Sequence, residues 1–282
     1  MIVINLESVM NYKIALFGLT GFGSIMLQYL LDLGQDIVHV YTREEKIPHP
    51  YFPVRSVEDI ARQYAIAYSY DRPDHFDETI DLIICASYHR VLPEEILTAP
   101  KRGAFNFHPS LLPGYKGAAP TKYSLLLGEH KSGVSLHEMS DKVDSGYVIS
   151  QYSVEIENYY DDGLLRQQLA ELQYPLVLDL FDYLDNDHGF PNRIAGIKEC
   201  NFPPFQQLTI DLQDNYSIEA LSRQLRASSP FPGLRVKLGE RYYLLKKFIE
   251  FSPGEYDFRF IETGVISIYG ADGVLYCVGY RI

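Results

Sequence analysis

"YKIALFGLTGFGSIMLQYLLDLG", residues 12–34, is the stretch that decides the fold class. Its first part, "YKIALFG" (12–18), is an apolar run closed by glycine and reads as a buried strand. "GFGSIMLQYLLDLG" (21–34) carries apolar residues at helical spacing and closes on Gly34, the expected C-cap. Between them stands "GLTGFG" (18–23). A glycine-rich turn from strand to helix aims backbone N–H groups and the positive end of a helix dipole at one spot, where an anion can sit. Two readings share this geometry: a dinucleotide site, and a tight turn that needs small residues. A dinucleotide enzyme should carry an acidic residue at the end of its second strand. Here "DIVHVYT" (36–42) is followed by Arg43 and only then by Glu44, which weakens the nicotinamide reading.

The alternation continues outward from this unit. "SVEDIARQYAI" (56–66) has Ser56 as N-cap and acids in its first turn, so it predicts a helix. "IDLIICAS" (80–87) predicts a third strand, and "PEEIL" (93–97) a short helix with proline at its start. "GAFNF" (103–107) reads as a strand, "APTKYSLLLGE" (119–129) as a helix, and "SGVSLHEM" (132–139) and "GYVISQYSVEI" (146–156) as strands. Residues 161–186 predict one long amphipathic helix kinked at Pro175. Strand and helix alternating in this way predict an α/β fold: a Rossmann-like, mostly parallel sheet with helices on both faces.

The character changes after residue 186. "HGFPNRIAGIKECNFPPF" (188–205) is rich in turn residues and reads as a linker. Beyond it come one helix, "SIEALSRQLRAS" (217–228), and two hairpins, turning at Gly239-Glu240 and at Asp272-Gly273. The expected organisation is a catalytic domain over 11–200 and a small, mainly β C-terminal domain over 201–282. Hairpins this small need something to pack on, so a homodimer is expected.

The 282 residues are 46% hydrophobic and 22% charged, enough for an ordinary core without staples. A net charge of −12 disfavours nucleic acid and anionic membrane surfaces as partners. Cys85, Cys200 and Cys277 are an odd set without metal-ligand spacing, so neither a disulfide framework nor a metal site is expected. The opening "MIVINLESVM" lacks the basic region and apolar core of a secretory signal, and no apolar run is long enough to span a bilayer. A cytoplasmic protein with reduced thiols is expected, and Met1 and Met10 are both candidate starts, since the first clear strand begins directly after Met10. The basic run Arg223, Arg226, Arg235, Lys237, Arg241, Lys246 and Lys247 reads as a solvated face.

The chemistry concentrates in "NFHPSLLPGYKG" (106–117). On a strand, Asn106 and His108 stand at i and i+2 and share a face. Pro109 then ends the strand, at the carboxyl edge where open α/β sheets bind ligands. "HEMSDKVDSG" (137–146) brings Asp141 and Asp144 on a loop at a similar edge, and a carboxylate there can orient His108. No serine or cysteine beside them has a comparable claim to be a nucleophile. The substrate would then supply the nucleophile, and the protein an oxyanion donor and a proton carrier. His89 and His137 flank this region and read as structural.

Segment 103–149 resembles the formyltransferases that use 10-formyltetrahydrofolate, through the pattern Asn-x-His-Pro-Ser-Leu-Leu-Pro, then Gly-Val, then Asp-Ser-Gly. A weaker likeness runs from about residue 12 to 186, and "LRASSPFPGLRVKL" (225–238) is similar to a stretch in the longer members. "SYHRVLPEEIL" (87–97) and "VSLHEM" (134–139) look most like the sugar-nucleotide branch. That resemblance implies that Asn106 holds the formyl oxygen, that His108 donates to it or relays protons, and that Asp144 pairs with His108. It also implies that the pterin is bound partly through backbone at Arg90, Val91 and Leu92 and at Ser140, Asp141, Lys142 and Val143. Sugar-nucleotide members have an arginine where this chain has Ala118, and the positive charge here is Lys116. Lys116 and the N–H groups of Gly21, Phe22 and Gly23 are the candidates for a substrate diphosphate.

The expected function is N-formyl transfer from 10-formyltetrahydrofolate, without a metal, to the amine of a nucleotide-linked amino sugar, for O-antigen or related glycan synthesis. Methionyl-tRNA formyltransferase is the alternative within the class. It loses ground because "TREEKIPHPYFPVRS" (42–56) is short and mixed in charge and residues 201–282 hold nine Lys/Arg against nine Asp/Glu. An NAD(P)-binding oxidoreductase or sensing module is the alternative from another class, and it leaves Asn106, His108 and Asp144 without a role.

Overall fold

The computed structural model describes residues 10–46, 48–76, 79–186, 209–212, 216–262 and 264–282. The linker read over 188–205, and Cys200 with it, lies outside the described residues. From the amino end run β1 (Lys13–Gly18), α1 (Phe22–Asp32), β2 (Asp36–Tyr41), α2 (Val57–Gln63), β3 (Tyr68–Ser69) and β4 (Leu82–Ala86). Then come α3 (Glu94–Leu97), β5 (Ala104–His108), α4 (Pro120–Leu127), β6 (Lys131–Glu138), β7 (Val148–Glu155), α5 (Asp162–Glu171) and α6 (Gln173–Asp185). After residue 208 follow β8 (Thr209–Asp211), α7 (Ile218–Ser228), β9 (Leu234–Leu238), β10 (Arg241–Pro253), β11 (Arg259–Glu262), β12 (Ile266–Gly270) and β13 (Gly273–Arg281).

β1 to β7 make one sheet in the order β3-β2-β1-β4-β5-β6-β7. Its pairs from β3 through β5 are parallel. β5 and β6 are antiparallel, with Asn106 opposite His137 and His108 opposite Ser135. The strand order reverses between β1 and β4, the switch point at whose carboxyl ends open α/β sheets bind ligands. Ile14, Ala15, Leu16 and Phe17 are fully buried, as expected where helices cover both faces of a parallel sheet. On one side the core gathers Phe17, Tyr41, Ile83, Cys85, Leu92 and Ile96.

The "GLTGFG" turn has a packing reason of its own. A Cβ on Gly23 would stand 2.7 Å from the Gly18 carbonyl carbon, so strand end and helix start meet backbone to backbone. Gly21 has φ 101, a conformation that disfavours any side chain.

Residues 161–186 are two helices, not the expected single kinked one. A proline ring clashes with the carbonyl four residues earlier, here Glu171, so the break falls at Leu172 and Pro175 sits in the first turn of α6.

The chain divides into two compact units. One holds the described residues up to Gly117, Gly133–Val154 and the described part of Gln168–Asn201. The other holds Ala118–Ser132, Glu155–Gln167 and the described residues from 202 onward. This second unit contains a six-stranded sheet, order β11-β12-β13-β10-β9-β8, which joins both predicted hairpins to two further strands. α7 turns Leu221 and Leu225 into a core with Val236, Leu245, Ile268 and Leu275. The first hairpin turns at Gly239-Glu240 as expected. The second turns one residue earlier than expected, at Ala271-Asp272, with Gly270 opposite Gly273. Asp272 is held at that tip because its carboxylate caps α7, accepting from the Ile218 and Glu219 N–H groups and the Ser217 hydroxyl.

"LRASSPFPG" (225–233) is fastened from within this unit. The Lys122 ammonium donates to the Ala227 and Phe231 carbonyls and pairs with the buried Asp162 at 2.8 Å. Much of the basic run read as a solvated face is spent in the same way. Arg226 donates to the Tyr160 and Glu157 carbonyls, Lys246 to the Pro232 carbonyl, and Lys237 pairs with Asp211. Among the described residues no helix is long and apolar enough to cross a membrane.

Candidate active site

β5 delivers Asn106 and His108 to the carboxyl edge of the sheet, and β6 brings His137 alongside. The loop between β6 and β7 folds Asp144 back onto both. It can do so because residue 146 is glycine: a Cβ there would stand 1.7 Å from the Glu138 carbonyl oxygen. Asp144 itself adopts φ 48, the left-handed region, as does Tyr115 at φ 56. Two such residues facing one site mark backbone held against its own preference by its surroundings.

The rigid loop after β5 is sewn down by hydroxyls. Ser110 Oγ donates to the Gly114 carbonyl at 2.7 Å, and Ser135 Oγ donates to the Ser110 carbonyl while accepting the Leu112 N–H. Its far end then reaches back to His108 and across to the acidic loop with consecutive residues. The Tyr115 carbonyl lies 2.9 Å from His108 Nε2. Lys116 Nζ donates to Ser145 Oγ at 2.9 Å, and the Gly117 N–H donates to Asp144 Oδ2 at 2.8 Å.

At the centre, His108 Nδ1 faces Asp144 Oδ2 at 3.4 Å, and the Asn106 amide nitrogen stands 3.2 Å from Asp144 Oδ1 and 3.1 Å from His137 Nε2. Burial alone would raise the Asp144 carboxyl, but the positive charge that the His108 and His137 rings bring when protonated, together with the Gly117 N–H, outweighs it and holds it well below the ordinary carboxylate range. For His108, burial is the largest influence and pushes the imidazole down; Asp144 and the Tyr115 carbonyl pull upward without overturning it. The site therefore holds an ionised Asp144 beside a neutral imidazole near pH 7. Tyr115's carbonyl can only accept, so the proton of that imidazole sits on Nε2 and a lone pair on Nδ1 faces the carboxylate. The 3.4 Å separation, longer than an N–H···O bond, fits a nitrogen without a proton. A proton arriving at Nδ1 would find Asp144 waiting. Cys85 stands next to Asn106 in register, and burial pushes its thiol up to about 12, so it stays a thiol and no nucleophile.

The other predicted site residues are scattered in exposure. Arg90 is exposed and paired with Asp71 at 3.0 Å; Val91 is 68% exposed; Leu92 is buried in the core. Asp141, Lys142 and Val143 are exposed, and Ser140 Oγ donates to the Lys142 carbonyl. Lys116 is buried, 6% exposed. Of the three N–H groups expected to face a diphosphate, that of Gly23 is already spent on the Leu19 carbonyl at 2.8 Å. Phe22 is buried, and a Cβ on Gly21 would stand 2.8 Å from His49 Nε2, so an imidazole covers that turn. Among the described residues no group of three or more His, Cys, Asp or Glu is placed to hold a metal ion.

One central residue escaped the reading of the sequence. His137, which reads as structural in the sequence, is 1% exposed and touches Asn106 directly. Its signal lay in Ser135 and His137, a polar pair at i and i+2 in an apolar strand, the same pattern as Asn106 and His108.

Residues 34–179, which include this whole cluster, match the family model described as formyl transferase. The chain belongs to the formyl transferase family. This formyltransferase is 32% identical over 241 residues to the methionyl-tRNA formyltransferase of Enterococcus faecalis, covering 78% of this chain and 74% of that one. It is 30% identical to the methionyl-tRNA formyltransferase of Ehrlichia canis over 93% of this chain and 90% of that one. In fold it is similar to the N-formyltransferase of Helicobacter canadensis, solved with folinic acid and dTDP-3-aminofucose. That likeness has a TM-score of 0.74 and 19% identity, and covers 95% of this chain and 100% of the other. The formyltransferase is thus a one-carbon group-transferring enzyme on a mostly parallel sheet with a second, β-sheet region.

Proposed function

We propose that this enzyme moves the formyl group of 10-formyltetrahydrofolate onto the amine of a nucleotide-linked amino sugar. The observation that carries the acceptor is Lys116. Lys116 is buried, its ammonium donates to a neutral hydroxyl, Ser145 Oγ, and no carboxylate pairs with it among the described residues, so its charge is left to meet an anion such as a diphosphate. The net charge of −12 tolerates a small dianion held locally but opposes a transfer RNA with its many phosphates. The Helicobacter canadensis N-formyltransferase, solved with a dTDP-linked amino sugar and a folate, supports both substrates by analogy of fold.

The residues divide the chemistry. The attacking amine must arrive neutral, because an ammonium has no lone pair. As its nitrogen bonds to the formyl carbon, Asn106 meets the negative charge that develops on the formyl oxygen. His108 takes the amine's proton at Nδ1, directly or through water, and Asp144 stabilises the resulting imidazolium. The carbon–nitrogen bond to the folate then breaks. A proton returned by His108 completes the leaving nitrogen, giving a formamide and tetrahydrofolate.

A second reading, formyl transfer to methionyl-tRNA, is favoured by relatives at 30–32% identity that carry that name. An acceptor panel separates the two. With 10-formyltetrahydrofolate as donor, tetrahydrofolate release is followed against dTDP-, UDP- and GDP-linked 3- and 4-amino sugars and against methionyl-tRNA. Turnover with a nucleotide-linked amino sugar and none with the tRNA supports the proposal. Efficient formylation of the tRNA, with no response to any amino sugar, transfers the assignment to the second reading.

A further inference from the structure

We infer that His137 is a positioning residue: it anchors one hydrogen of the Asn106 amide so that the other is free to serve the formyl oxygen. The inference rests on the role proposed above for Asn106, though not on the identity of the acceptor. It starts from the Glu138 carbonyl, which lies 2.8 Å from His137 Nδ1. A carbonyl can only accept, so Nδ1 carries the ring proton and Nε2 presents a lone pair. That lone pair faces the Asn106 amide nitrogen at 3.1 Å, and Asp144 Oδ1 faces the same nitrogen at 3.2 Å. Both neighbours are acceptors, and together they fix the amide with its nitrogen inward. Turned the other way, its oxygen would meet a lone pair and a carboxylate at once.

The two acceptors are not equivalent during turnover. Asp144 has a second partner in His108, 3.4 Å away, and a proton on His108 draws the carboxylate toward the imidazolium. The amide hydrogen on Asp144 can then pass to the formyl oxygen. His137 has no such competing duty. Its Nε2 is 3.5 Å from Asp144 Oδ1, and without a proton it cannot donate there. It is 1% exposed, so water does not compete for the lone pair. One amide hydrogen therefore stays on His137 through the cycle, and the other changes partner.

The test replaces the ring by groups that keep or lose the acceptor. A glutamine oxygen reaches the place of Nε2; leucine offers nothing there. His137→Leu is expected to lower kcat tenfold to a hundredfold while KM for both substrates moves less than twofold, and His137→Gln to recover most of that loss. Asn106→Ala is measured beside them. A crippled Asn106→Ala next to a near-normal His137→Leu overturns this inference alone. A near-normal Asn106→Ala overturns it together with the role of Asn106. Equal losses in His137→Leu and His137→Gln also contradict it, since the acceptor would not be what matters. A long-range proton–nitrogen NMR spectrum of the wild-type enzyme tests the geometry even where a variant fails to fold: His137 should appear as the Nδ1–H tautomer, and an Nε2–H tautomer overturns the inference.

Discussion

His108 and Asp144 face one another at 3.4 Å, Nδ1 to Oδ2, both buried, and the other imidazole nitrogen is committed to the Tyr115 carbonyl. The pair is poised to receive a proton rather than already holding one. Burial, the dominant influence, sets the folded pKa of His108 below that of the free side chain.

That direction fixes a sign for stability. Below about pH 6.5 an unfolded histidine takes up a proton that the folded chain refuses, so folding weakens as pH falls through that value. Asp144 is depressed in the fold, so its contribution is kept above about pH 4 and is lost only below it. Urea unfolding between pH 7.5 and 5.5 should show stability dropping toward the acid side, with a shallower drop in His108→Gln. A His108→Gln slope as steep as the wild type's would mean that the buried imidazole does not titrate as described.

Gly146→Ala should injure fold and site together. The added carbon would stand 1.7 Å from the Glu138 carbonyl oxygen, backbone that cannot yield without moving β6. Overpacking of this kind costs about 1–3 kcal/mol or more, and here the displaced loop carries Asp144. The expected outcome is a thermal midpoint lower by several degrees and a fall in kcat. Normal melting with normal turnover would show that the loop is not pressed on β6.

Lys116→Ala should act on substrate binding. A charge-assisted hydrogen bond is worth about 1.5–3 kcal/mol, which is about ten- to a hundredfold in affinity. KM for the nucleotide-linked amino sugar should rise by that order while kcat changes little and KM for the folate is unmoved. A loss confined to kcat would place Lys116 in the chemistry instead.

Much of the fold was legible because the buried strands are short apolar runs with glycine or proline at their ends, as in "YKIALFG" and "IDLIICAS". What misled was action at a distance. Pro175 breaks its helix at Leu172, because the clash falls on a carbonyl four residues back. The second hairpin turns at Ala271-Asp272, a residue earlier than expected, where Asp272 is held by partners at Ser217, Ile218 and Glu219, more than fifty positions away. In the site, Asn106, His108 and Asp144 stood out by residue type and by motif. His137 did not, because only the antiparallel register of β5 and β6 sets it opposite Asn106, and a register between strands cannot be read from either strand alone. The burial of Lys116 and the covering of Gly21 by His49 are likewise set by loops whose path the residues do not spell out.

The central claim is that Asn106, His108 and Asp144 act as one unit in formyl transfer, and the most direct test is a kinetic cycle. With 10-formyltetrahydrofolate and the best acceptor from the panel, kcat is measured for Asn106→Ala, His108→Ala, Asp144→Ala and the His108→Ala/Asp144→Ala double variant, each shown to melt near the wild-type temperature. Each single change should cost about a hundredfold or more, and the double variant should lose little beyond its worse single, because residues that share one proton path do not add. A His108→Ala enzyme with near-normal turnover, or a double variant whose loss is the product of the two singles, would contradict the account.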